Sequence, residues 1–522
     1  MSLIPYGLFS RCMLVAVAFS AVLAVSLPSS TGVRQRQPAI QTPSAKDDGW
    51  KVGNPSDAGM DSVRLSNFLR RINEGEYDGI DGILIVKDGR IVFENYFRGN
   101  DFDYTAKDFK GRMVDYDANT IHNLASVTKS ITAILFGIAV DKGYVKSVDD
   151  KLFAYFPEDS ALFVGSKRNI ALWHLLTMSS GLKWNEQDVS YGNLSNDVVQ
   201  LFIVPDPLKY ILSKPMANEP GTAWYYNGGG TNLIGQVVQR KSGMRLDRFA
   251  QENLFDPLGV AASKWVYIND NFVYASGDLR LSLRDMAKIG MLVLDHGEWN
   301  GKRVVSSKWI DEMTTKRVWL PKGDGYGYQW WLQTYGLGKD SINSFHAGGW
   351  GGQWIIVLPG LNAVVVFTGR NYAAPDVTND MMFNYVLPSM DRDFIYDFDA
   401  ISREAPLPDS ITTILPDTVG SLFPGLSGRW YGQWDAHFLS CQLLVREVSG
   451  DSATVFYSYA DHPDGYFKKG WVKRCVKIDP SGRIRVQTSD SLDFRYDKSE
   501  NVVVANLKNA YVTSKAILRR AH

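Results

Sequence analysis

The stretch Asn123-Leu-Ala-Ser126-Val-Thr-Lys129-Ser-Ile-Thr-Ala-Ile-Leu-Phe-Gly-Ile-Ala-Val-Asp-Lys-Gly143 puts a serine and a lysine one turn apart at the start of an apolar helix. Ile131, Ile134, Leu135, Ile138 and Ala139 recur at helical spacing, and Gly143 is the usual residue for a left-handed stop. Residues i and i+3 share a helix face, so the Lys129 ammonium reaches the Ser126 hydroxyl, and the helix start favours negative charge developing there. Serine is a poor nucleophile until a base takes its proton, and an amine beside it is a candidate for that task. The pattern fits acyl transfer through an acyl-serine. The plain alternative is a serine-capped helix with a solvated lysine, because a lone Ser-x-x-Lys match turns up by chance about once or twice in a chain of this length.

Two further segments decide between these readings. Pro220-Gly-Thr-Ala-Trp-Tyr-Tyr226-Asn227-Gly228-Gly-Gly-Thr-Asn-Leu-Ile-Gly235 carries a turn and an aromatic run into a glycine-rich helix entry. Ser344-Phe-His346-Ala347-Gly348-Gly349-Trp-Gly-Gly-Gln-Trp-Ile-Ile-Val-Leu-Pro-Gly360 leads from a polar triplet through glycines into a strand-length apolar run. Backbone N–H groups on such a glycine-rich edge are suited to an oxyanion site.

With these three elements in this order, the chain resembles the serine β-lactamase and D-alanyl-D-alanine peptidase superfamily, in particular its class C-like branch of esterases, D-amino-acid peptidases and amide hydrolases such as the 6-aminohexanoate-oligomer hydrolases. The phrases Ser126-Val-Thr-Lys-Ser130, His174-Leu-Leu-Thr-Met-Ser-Ser-Gly181 with Trp184, Gly277-Asp-Leu-Arg280 with Arg284-Asp285, and Tyr326-Gly-Tyr-Gln-Trp-Trp331 extend the resemblance over about residues 50 to 390. It implies an α+β fold, an antiparallel sheet flanked by helices with a helical subdomain. It also implies Ser126 as acylated nucleophile, Lys129 and a tyrosine as proton-handling partners, and an oxyanion hole made by the N–H groups of Ser126 and Gly349. A literal Tyr-x-Asn match picks Tyr225, whereas the longer Pro-Gly-Thr-x-Trp-x-Tyr frame picks Tyr226, which we take. His346, Gly348, Asn227 and Gly228 are then the expected substrate-binding positions. Histidine stands where lysine is common and Gly228 where asparagine is common, a pair of departures that favours esters or amides over β-lactams. His122 and His174 read as structural.

The 522 residues carry formally zero net charge, with 45% apolar and 21% charged residues, so two or more globular domains are expected. Basic residues are dispersed, which excludes a nucleic-acid footprint. No cluster has metal-ligand spacing, and neither metal nor cofactor is expected. Arg11 and the apolar run from Met13 to Leu27 read as a signal peptide over residues 1–27, or as an uncleaved membrane anchor; the expected location is exported, periplasmic or secreted. A Ser/Pro/Gln-rich disordered linker follows over 28–48, then the hydrolase domain over 49–395 and a Pro-rich linker over 396–425. Residues 426–522 are strand-rich and read as a separable small β-barrel or sandwich with turns at Asp464-Gly465, Ser481-Gly482 and Asp497-Lys498. Gly82 to Tyr96 reads as two strands joined at Asp88-Gly89, and Tyr326–Trp331, Trp354–Leu358 and Ala363–Thr368 as strands. Cys441 and Cys475 either form one disulfide or stay as two buried thiols. The expected partner is a small ester or amide; a catalytically silent sensor or binding protein on the same fold is the alternative, and the sequence does not fix the oligomeric state.

Overall fold

The Asp88-Gly89 turn anchors the sheet: both residues adopt positive φ (52° and 72°), the mirror-image turn that matches strand twist. It joins β2 (Ile80–Lys87) to β3 (Arg90–Tyr96), as the sequence predicts. The computed structural model describes residues 40–320, 325–335, 341–373, 376–391, 403–408, 411, 423, 425–434, 439–461, 468–487, 491–508 and 513–520. The expected leader over 1–27 and the Asp464-Gly465 turn lie outside them. Among the described residues, no helix is long and apolar enough to cross a membrane.

Nine strands form the main sheet in the order β1-β3-β2-β11-β10-β9-β8-β7-β6, antiparallel except where β1 (Lys51–Val52) pairs with β3. The far half comprises β6 (Val318–Trp319), β7 (Gly325–Tyr326), β8 (Trp331–Tyr335), β9 (Ile342–Gly349), β10 (Gln353–Leu358) and β11 (Ala363–Gly369). Tyr326–Trp331, expected as one strand, is instead the end of β7 and the start of β8. Tyr328 N–H and Gln329 N–H there bond out to Met313 and Leu176 carbonyls rather than to a ladder.

The central strands are apolar without alternation because both faces are covered. Leu84, Val86, Ile355, Val357, Val364 and Val366 face a core shared with the helices, whereas Ile83, Ile85, Ile356, Leu358, Val365 and Phe367 face a second core behind the sheet. The first core holds α2 (Val127–Asp141), α3 (Gly228–Ser242) and α4 (Leu283–Leu294). Helix α2 is buried all round from Val127 to Ala139, and Gly143 takes the left-handed stop at φ 75°. The second core is built on α1 (Ser62–Asn73), capped by the Asp61 carboxylate. The end of the expected linker is tied down: Arg284 of α4 donates to Ser44 O and to the Asp48 and Glu94 carboxylates.

Past the joint, β12 (Gly428–Gln433), β13 (Ser440–Ser449), β14 (Ser452–Tyr459) and β15 (Gly470–Lys477) make one antiparallel meander. Strands β16 (Arg483–Gln487), β17 (Ser491–Asp497), β18 (Val502–Lys508) and β19 (Thr513–Leu518) make a second. Bridges Ile478↔Ile484 and Tyr431↔Arg519 join them at both ends, so the eight strands close into an up-and-down barrel. Its interior is filled by side chains including Trp430, Leu443, Val455, Phe494 and Val503. Cys441 is free and buried and Cys475 is free and exposed, so the two are neither a disulfide nor a pair of buried thiols. Part of the expected linker lies along the barrel, where Ala405 O accepts from Gln442 and Ser458.

The barrel is not a free-standing module. On β18 and β19, Val503, Ala505, Ala516 and Leu518 point into the barrel while Val502, Val504 and Ile517 join the second core with Phe68 and Phe93. Beside them the buried Arg71 guanidinium pairs with Glu76 at 2.7 Å, Asp497 at 3.0 Å and Glu500 at 3.1 Å, and Lys515 pairs with Glu76. Removing a buried cation strands its carboxylates. Arg71→Ala should therefore cost about 3–5 kcal/mol, read as a lowered denaturant midpoint with hydrolase and barrel unfolding in one transition; two separate transitions in wild type would contradict the shared core.

Buried histidines add a pH signature. His346 on β9 is buried, and burial pushes its pKa down to about 3. An unfolded histidine titrates near 6.5, so below that pH the unfolded chain binds a proton the folded one refuses. Stability from this site is whole above about pH 6.5 and declines as pH falls toward 3. Thermal midpoints across that range should fall less steeply in His346→Gln than in wild type.

Candidate active site

The backbone ahead of α2 sets the geometry. Ala125 sits at φ 43°, an uncommon conformation for a residue with a Cβ. It is held there by Asn123 Oδ1 accepting from Ala125 N (2.6 Å) and by Ala125 O accepting from Asp278 N (3.2 Å) and Thr128 Oγ1 (2.7 Å). This turn presents Ser126 at the helix start, half-buried where the residues that follow are buried. Ser126 occupies the N-cap position, yet its hydroxyl makes no capping bond. Instead Lys129 Nζ donates to Ser126 Oγ at 3.0 Å and to Ser276 O at 2.7 Å. The capped helix with a solvated lysine is thereby excluded.

Lys129 is buried, and its ammonium lies 4.8 Å from the Tyr226 ring centre with the Tyr226 hydroxyl as a further hydrogen-bond partner. Burial opposes its charge, but Tyr226, Glu186 and Asp278 outweigh burial and hold its pKa above the ordinary lysine value. The two candidate tyrosines separate cleanly. Tyr226 is 6% exposed against Met178, Tyr326 and Trp331, whereas Tyr225 is 39% exposed and donates outward to Asp188 at 2.6 Å.

Gly349 ends β9 beside the serine. A Cβ placed there would fall 2.3 Å from Leu124 O and 3.2 Å from Ser126 N, so only glycine permits this approach. Pairing of β9 with β8 stops at Trp331↔His346, leaving no strand along the edge of residues 347–349 on that side. Ser126, Lys129, Tyr226 and Gly349 are thus brought together.

The expected substrate-binding positions are placed differently. Side chains alternate along a strand, and Phe345 and Ala347 face the helical core. His346 therefore faces the opposite core, stacked on Tyr335 and hydrogen-bonded to Ser344 Oγ at 2.7 Å. Gly348 shares that face, where a Cβ would fall 2.6 Å from the Trp354 ring; its bareness admits a tryptophan, not a substrate. Asn227 is committed as the α3 cap, its Oδ1 accepting from Gly230 N at 2.9 Å. Gly228 donates its N–H to Glu186 Oε2 at 2.7 Å, and a Cβ there would fall 2.8 Å from that oxygen.

Three neighbours were missed from sequence: Glu186, Ser276 and Asp278. The last two flank Gly277 of the Gly277-Asp-Leu-Arg280 phrase, and Glu186 lies two residues past Trp184, so the phrases marked the right loops without marking the atoms. Burial raises the Asp278 pKa, partly countered by hydrogen bonds from Tyr104 and Asn123. Trp350, next to Gly349 in the chain, joins Phe102, Phe109 and Tyr372 in an aromatic cluster that Tyr191, bonded to Glu186, extends. Phe102 ends β4 (Arg98–Phe102) and Phe109 precedes its partner β5 (Lys110–Asp115). His122 is structural, its Nε2 2.9 Å from Asp81. His174 accepts from Ala171 N at 2.9 Å, and burial lowers its pKa to about 4.

The chain is 32% identical over 183 residues to lovastatin esterase of Penicillium rubens, covering 31% of this chain and 42% of that protein. It is 24% identical over 325 residues to the 6-aminohexanoate-dimer hydrolase of Paenarthrobacter ureafaciens, covering 58% of this chain and 75% of that one. The chain spans somewhat under half the length of the first curated relatives it matches. A solved structure assigned to the 6-aminohexanoate-dimer hydrolases, from Bacillus anthracis, has the same fold at TM-score 0.50 and 19% identity, over 62% of this chain and 81% of that one. Residues 79–382, more than half of the chain, match the Beta-lactamase family model, and the chain belongs to that family.

Proposed function

We propose that the protein is an exported serine hydrolase that cleaves a carboxylic ester or amide through an acyl-serine on Ser126. The observation that carries this is the Lys129 Nζ to Ser126 Oγ bond of 3.0 Å on a hydroxyl not used as a helix cap. In the reaction the Ser126 proton passes to the Lys129–Tyr226 pair as Oγ bonds the substrate carbonyl carbon. The N–H groups of Ser126 and Gly349 receive the oxyanion. Collapse breaks the bond to the leaving oxygen or nitrogen, which takes the proton back, and water repeats the sequence to release the acid. The lovastatin esterase and aminohexanoate-dimer hydrolase likenesses support ester and amide substrates, and the aromatic cluster supports an apolar acyl or alkyl group. Export rests on the apolar segment from Met13 to Leu27.

Ser126→Ala, Lys129→Ala and Tyr226→Phe should each remove most ester turnover from a folded protein, and their losses should not add, because the three act as one unit. Tyr225→Phe should be near neutral. A fluorophosphonate probe should label wild type but not Ser126→Ala, and a wild type that resists the probe while folded would sink the assignment.

Short activated esters should exceed penicillins and cephalosporins in kcat/KM by at least about two decades. A β-lactam carboxylate and side-chain amide want charged and amide partners, and each lost contact to a charged group costs on the order of 1.5–3 kcal/mol, or roughly ten- to a hundredfold. Here His346 is turned into the second core, and Glu186 occupies the space an asparagine at 228 would need. His346→Lys with Gly228→Asn should accordingly lower the thermal midpoint rather than create a β-lactamase. Efficient penicillin hydrolysis by wild type would refute this specificity.

A further inference from the structure

Glu186 is 1% exposed and has no part in the chemistry described above. Its oxygens are divided between two tasks. Oε2 accepts from Gly228 N at 2.7 Å and from Trp184 Nε1 at 2.8 Å; Oε1 accepts from the Tyr191 hydroxyl at 3.2 Å and faces Lys129 Nζ at 3.6 Å. Each of these partners is a donor, which suits the ionised carboxylate. Gly228 is also the first residue of α3, where the helix start favours negative charge. Gly228 is bare because this carboxylate fills the space beside it.

We propose that Glu186 is a positioning residue, the buried counter-charge that holds Lys129 as an ammonium beside Ser126 Oγ. The proposal deepens the reading of Ser126 as nucleophile and rests on it. An ammonium has three N–H groups and no lone pair; Lys129 donates to Ser126 Oγ and Ser276 O, and Glu186 Oε1 lies 3.6 Å from Nζ as its ion-pair partner. The charged and titratable groups facing Lys129 are Tyr226, Glu186 and Asp278; those facing Glu186 are Lys129, Tyr191, Tyr274 and Tyr326. Of the two carboxylates near Lys129, Glu186 lies within ion-pair distance of Nζ whereas Asp278 accepts from the Tyr104 hydroxyl, which makes Glu186 the paired counter-charge.

The test is the pH profile of kcat/KM for 4-nitrophenyl butyrate in wild type, Glu186→Gln and Glu186→Asp. Glu186→Gln keeps the shape and removes the charge, so Lys129 should lose its proton earlier and the alkaline limb should move down by about one pH unit or more. Its kcat should fall about tenfold or more with KM within about threefold. Glu186→Asp keeps the charge and should hold the limb near the wild-type position. A folded Glu186→Gln with wild-type limb and kcat overturns the proposal. Where Glu186→Gln does not fold, Tyr191→Phe, which frees Oε1 for the ammonium, should move the limb upward, and a limb that moves down or stays in place there overturns the proposal equally. Fluorophosphonate labelling separates the two assignments. Wild type that fails to label at Ser126 removes the nucleophile reading, whereas labelled wild type with an unshifted Glu186→Gln limb removes the Glu186 reading alone.

Discussion

A charged amine in the buried first turn of an apolar helix is the constraint around which this half of the molecule is arranged. Helix α2 is buried on every side, so Lys129 has no route to water and its charge must be answered by protein. Ser126, Ser276, Tyr226 and Glu186 answer it from four segments of chain. Each is fixed by something outside the site: the left-handed turn at Ala125, the left-handed Asp278, the Asn227 cap of α3 and the Trp184 indole. Burying one ammonium therefore determines where the nucleophile, the phenol and the helix start can lie.

The parts of this arrangement that were legible in the sequence are those governed by local rules. The β2–β3 turn, the extent of α2, the stop at Gly143 and the choice of Tyr226 over Tyr225 follow from turn chemistry, periodicity and a fixed motif frame. Glu186 was not legible, because its role depends on a contact between residues more than forty positions apart, and a lone glutamate on a loop carries no pattern. His346 shows a different limit. Its motif places it on the strand that brings Gly349 to the serine, but strand alternation sends its side chain through the sheet into the other core. Gly348 misleads in the same way, since a glycine that receives a tryptophan looks in sequence like one that receives a ligand.

The C-terminal barrel also shows what patterning leaves out. Alternation reveals its strands and turns, yet Val502 and Val504 lie on the outward face, where exposed polar residues are the usual choice. These apolar residues signal a surface that is covered. What covers it is the back of the hydrolase sheet, sealed by the Arg71, Glu76, Asp497 and Glu500 cluster.

This shared strand layer has a consequence for biosynthesis. Phe93 belongs to a strand made early, whereas Ile517, which covers the same core, is made more than 400 residues later. At ribosomal rates of about 5–20 residues per second, the side of this core closed by Val502, Val504 and Ile517 stays open on the order of tens of seconds. Through that interval α1 covers part of the rear of the sheet while the apolar surface that the barrel will close remains exposed. Transiently exposed apolar surface of this kind is what chaperones recognise.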